Sequence, residues 1–75
     1  MNELPKILDP GFAEWWLDMW ESARYLESRE HHSLAMALDQ CRLAAPLYAE
    51  CDRLDLARRF AALADKIQQQ MKKEN

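Results

Sequence analysis

Apolar residues recur along most of this chain at intervals of three and four, and strand-like alternation nowhere persists beyond four residues. After an arm at residues 1–9, the pattern predicts one helical domain over 10–73, with helices over about 10–29, 33–50 and 53–72. The first helix has a start signal. Asp9 offers a carboxylate to a free amide of the first turn, and Pro10 lacks an amide hydrogen where none is needed. Phe12, Trp16, Met19, Ala23 and Leu26 then follow at spacings of four, three, four and three, which is the seam of an amphipathic helix. Trp15 lies beside that seam, while Trp20 falls about 90° and Leu17 about 150° from its middle. The apolar arc is therefore about 200° wide, more than a surface helix of a small bundle needs to bury.

The second helix, opened by Ser33 after the polar stretch Glu30–His31–His32, is apolar on two sides. Leu34, Leu38, Cys41, Ala45 and Tyr48 form one face, and Met36, Leu43 and Leu47 form the opposite one. A helix with two apolar faces lies between partners. Pro46 removes an amide donor and crowds the carbonyl four residues back, which predicts a kink near Arg42–Leu43 or a break there. Asp52 is the expected start of the third helix, with Asp55 in its first turn. Leu56, Phe60, Leu63 and Ile67 carry the buried face, widened by Ala64 and Met71. Lys72 and Lys73 suit the carbonyl end, and the last residues are expected to fray. In the arm, Leu4, Ile7 and Leu8 are available to pack down on the domain. Short connections make neighbouring helices antiparallel, so the expected fold is all-α: a small three-helix bundle, or an antiparallel helical hairpin with a third packed helix.

The segment AAPLYAECDRLDLARRFAALA, residues 44–64, resembles the middle of a tetratricopeptide repeat. Ala45, Tyr48, Ala57 and Ala64 stand in that family's small, aromatic, small and small positions. The family's tryptophan is replaced by Cys41, its glycine by Asp52, Phe60 is one position out of register, and Pro46 has no counterpart. The likeness covers less than a third of the chain and implies an antiparallel helix pair turning near residue 52. A single repeat has no neighbour to stack on, so the likeness implies no function.

Seventy-five residues make one domain near the lower size limit for an independent core. A net charge of −3 provides no electrostatic footprint for nucleic acid. The best basic patch, Arg53, Arg58, Arg59 and Lys66 with Lys72 and Lys73 beyond, is interrupted by Asp52, Asp55 and Asp65 and reads as a solvated face. A nucleic-acid-binding regulator using helix 3 is the competing reading. MNELPKILDP lacks a basic stretch followed by an apolar run, and no segment approaches the ~20 apolar residues of a membrane span. Nor does the tryptophan helix suit a membrane surface, because Glu14, Asp18 and Glu21 stand where an interfacial helix carries lysine and arginine. Cys41 and Cys51, about 15 Å apart if they share a helix, read as free thiols of a cytoplasmic protein.

Chemistry has few candidates. His31, His32, Cys41 and Cys51 are the soft metal ligands, and they have no zinc-site spacing. Cys41 sits on an apolar face where a thiol is inert packing, and the one glycine forms no phosphate loop. The expectation is a non-enzyme without metal or cofactor that works on another protein as a regulator, adaptor or inhibitor. Small chains of these classes include products of mobile elements. Trp20 and Leu17, surplus to the seam, are the expected anchors of that contact, with Glu21 and Arg24 on its rim. Self-association as a homodimer accounts for the surplus most economically, because it also enlarges a thin core.

Overall fold

The computed structural model describes residues 5–73, and all regular structure among them is helical. A short 3-10 turn, Lys6–Leu8, precedes four helices: α1 (Pro10–Trp20), α2 (Ala23–Glu27), α3 (His31–Glu50) and α4 (Leu54–Lys73). The most extensive packing joins α3 to α4, the hairpin that the tetratricopeptide likeness implied. The 3-10 turn, α1 and α2 pack against that hairpin. The all-α bundle is therefore present, with its first helix divided in two.

The Asp9 side chain caps α1, accepting the Phe12 amide at 2.9 Å. The helix ends eleven residues later, although neither proline nor glycine marks the place. Ser22 stops it. Its backbone is extended (φ −68°, ψ 120°) and its hydroxyl accepts the Tyr25 amide at 3.5 Å, making it the cap of α2. The expected helix over 10–29 is thus two helices, and Ala23 and Leu26 do not continue the phase of Phe12, Trp16 and Met19.

Helix α3 begins earlier than expected. His31 and His32 belong to its first turn, and Glu30 rather than Ser33 occupies the cap position. It runs unbroken through Pro46 to Glu50. Pro46 is exposed, so the Arg42 carbonyl left without a donor lies on the solvent side, where water can satisfy it.

The α3–α4 turn closes with paired bonds: Asp52 N–H donates to Ala49 O at 3.2 Å and Arg53 N–H to Tyr48 O at 2.9 Å. This is the Schellman arrangement, which needs a left-handed residue between helix and exit. Asp52 supplies it with φ 63°, at the position where the tetratricopeptide pattern has glycine. Asp52 therefore closes α3 instead of opening α4, whose first residue is Leu54.

The core is one cluster drawn from every element. Leu56, Phe60, Leu63 and Ile67 of α4 meet Leu34, Leu38, Cys41, Ala44 and Tyr48 of α3 there. Ile7, 1% exposed, packs down from the arm, and the buried Tyr48 hydroxyl donates to its carbonyl at 2.9 Å. Leu4 and the last two residues lie outside the described residues.

Candidate interaction surface

The side chains expected to anchor a contact are inside the subunit. Leu17 is 0% exposed and Trp20 6%. Both expectations of exposure are overturned, and the break at Ser22 explains why. Without Ala23 and Leu26, the seam that α1 must bury is free to be Ala13, Leu17 and Trp20, spaced four and three, and these are its three buried residues. The helix is therefore rotated by about 100° from the orientation that a single long helix would require. Phe12, Trp16 and Met19, expected at the centre of the core, are only half-buried at its margin.

Aromatic contacts hold Trp20 in place. Tyr48 stacks on Phe60 (5.7 Å between ring centroids, 6° between planes), Phe60 meets Trp16 at 5.8 Å, and Trp16 meets Trp20 at 5.6 Å. Trp20 meets the Tyr25 ring edge-on at 5.0 Å, and the Arg29 guanidinium lies 4.3 Å from that ring's centre. A row of aromatic side chains thus ties α3, α4, α1 and α2 together.

Glu21 also faces inward to another helix. Its two carboxylate oxygens accept from Arg59 Nε at 3.1 Å and Nη2 at 2.8 Å, and Asp18 accepts from the same Nη2 at 2.8 Å. Those bonds to Glu21 and Asp18 hold the Arg59 guanidinium further above its ordinary range, against a smaller opposing effect of burial. Arg59 is therefore a clamp between α4 and the end of α1. Arg24, on the exposed side of α2, is the remaining expected rim residue. The four residues do not come together as one surface.

The clamp also removes Arg59 from the basic patch along α4, and Arg53 is engaged with Asp55 at 3.2 Å. Arg58, Lys66, Lys72 and Lys73 remain exposed without an ion pair to another described residue. Burial pushes the Cys41 thiol up to about 12, so it stays protonated and unreactive at neutral pH. Both cysteines are free, Cys51 on the surface. Among the described residues no three His, Cys, Asp or Glu side chains gather to hold a metal ion, and no helix is long and apolar enough to cross a membrane.

Much of the apolar surface left open lies along α1 and α3; Leu54, at the start of α4, is also exposed. Phe12, Trp16 and Trp20 form one wall of a groove of about 360 Å³, and Ser33, Met36, Ala37 and Gln40 form the other, with Lys6 and Ile7 also lining it. Met36 is 57% exposed, and helical spacing continues its stripe through Gln40 and Leu43 to Leu47. Trp15, 59% exposed, stands on the crest of α1 with its ring 5.6 Å from that of Phe12. Most of these positions were missed as site residues. The signal for them was the second apolar face of α3, which no other element among the described residues fully covers.

No family model, no curated protein and no solved structure matches this chain. The tetratricopeptide likeness of residues 44–64 rests on its residues alone, and the surface must be read from its own chemistry.

Proposed function

We propose that this chain is a non-enzymatic cytoplasmic protein that acts by protein–protein contact, as a homodimer, in the role of a regulator, adaptor or inhibitor. The observation carrying this reading is the open apolar face of α1 and α3: Met36 at 57% and Trp15 at 59% exposed, beside half-buried Phe12 and Trp16. Contiguous apolar surface with large rigid side chains on a small protein marks a contact. The surface has no deep enclosure with converging polar groups, and its buried thiol is not a nucleophile, so chemistry is the weaker reading.

Light scattering on wild-type and Met36→Glu protein tests it. Wild-type protein should have twice the monomer mass at micromolar concentration, and the variant, with unchanged helical content, the monomer mass. A wild-type chain that stays monomeric at several hundred micromolar would remove self-association from the reading.

A further inference from the structure

We propose that two copies of this chain join by exchange: the Lys6–Leu8 turn and α1 of each copy pack on the α3–α4 hairpin of the other, and α1 and α2 straighten into one helix. This rests on the self-association above and adds how the copies are held together. The hinge is one residue. Between α1 and α2, Glu21 is helical (φ −72°, ψ −15°), and Ser22 departs from a helix only in ψ, which is 120° beside a φ of −68°. Turning that one bond makes the helix continuous, and neither proline nor glycine occurs in residues 12–27 to oppose it. Hydrogen bonding favours the turn. The Ser22 N–H donates to Met19 O at 3.3 Å and the Ser22 hydroxyl accepts the Tyr25 amide at 3.5 Å, both long, and no backbone bond joins the Ala23 or Arg24 amide to α1. In a continuous helix the amides of Ala23, Arg24 and Tyr25 donate to the carbonyls of Met19, Trp20 and Glu21.

Burial decides how many copies the straight helix needs. Leu17 and Leu26 both belong to the core of one subunit. On a continuous helix they stand about 180° apart, on opposite sides. One hairpin can cover one of those sides, so a single copy has to break the helix at Ser22 to bury both. Between two hairpins the straight helix buries both without a break. Leu26 stays on its own hairpin, held by the short link from α2 to α3, and Ala13, Leu17 and Trp20 enter the other. The contacts that fix α1 in one subunit then form between copies: the Arg59 clamp on Asp18, the Trp16–Phe60 ring contact and the Tyr48 bond to the Ile7 carbonyl. Exchange therefore keeps the core and adds the helical bonds at the hinge. Only another copy of this chain carries a hairpin with those side chains, which fixes the partner.

Isotope-filtered NMR reads the exchange. Equal amounts of 13C-labelled and unlabelled protein are unfolded together in urea, refolded, and measured at a concentration where light scattering gives the dimer mass. NOEs between labelled and unlabelled chains should join Trp16 to Phe60 and Ile7 to Tyr48, contacts that an unexchanged dimer keeps within each chain. Ser22→Ala removes the cap and favours helix at the hinge, so that variant should dimerise at least tenfold more tightly than wild type in sedimentation equilibrium. A dimer in which these NOEs stay within one chain, or a Ser22→Ala protein that dimerises no more tightly than wild type, would overturn exchange while leaving self-association standing. A monomeric wild-type chain would overturn both.

Discussion

At the scale of single residues, burial inverts the ranking that spacing predicts. Leu17 looked like surface because it lies far from a seam ending in Ala23 and Leu26, yet it is fully buried. Leu17→Ala should therefore cost about 2–5 kcal/mol in urea unfolding. Trp15→Ala removes an exposed side chain and should shift stability by no more than about 0.5 kcal/mol. Equal effects would restore the orientation of α1 expected from a single long helix. Cys41 offers a second test. Its folded-state pKa of about 12 lies above the ordinary value of 9.0, so the unfolded chain releases the thiol proton first. Stability is full below pH 9 and falls as pH rises through this window, by up to about 1.4 kcal/mol per unit from this group. Cys41→Ala protein should lack that part of the slope. In the folded protein a thiol reagent should modify Cys51 and spare Cys41.

At the scale of elements, most of α3 and α4 was legible. The buried faces of both repeat at helical spacing over twenty residues, and that length leaves the phase little freedom. The first helix was not legible to the same degree. Its phase depended on whether the chain continued past Ser22, and a serine between Glu21 and Ala23 is a weak stop signal beside a proline or glycine. The Arg59 clamp was hidden for the same reason, since Asp18 and Glu21 face α4 only once α1 is rotated. Arg59→Ala should cost about 1 kcal/mol, less in high salt, because the pair is partly exposed. Arg58→Ala, one residue away and fully solvated, should change stability by less than about 0.5 kcal/mol. A matching loss in both would show that the clamp contributes nothing. At the turn, Asp52 holds a left-handed backbone that glycine adopts without strain. Asp52→Gly should raise stability by about 1 kcal/mol, and a loss would mean that the aspartate side chain has a role beyond its φ.

At the scale of the molecule, the two residues read as surplus on the first helix, Leu17 and Trp20, are inside the core, so the case for a contact no longer rests on them. Rotation buries Leu17 and Trp20 and turns Phe12, Trp15, Trp16 and Met19 toward the margin and the solvent. The clearer sign is α3, where among the described residues Met36 and Leu43 stay exposed and Leu47 is half-buried. One small domain cannot cover both sides of its central helix, and a second copy can. The most direct test follows the methionine methyl groups by NMR with a soluble paramagnetic probe while the protein is diluted from high to low micromolar concentration. The methyl of Met36, exposed in the isolated subunit, should be shielded at high concentration and become accessible on dilution. Full accessibility of Met36 at every concentration would contradict a covered α3 face.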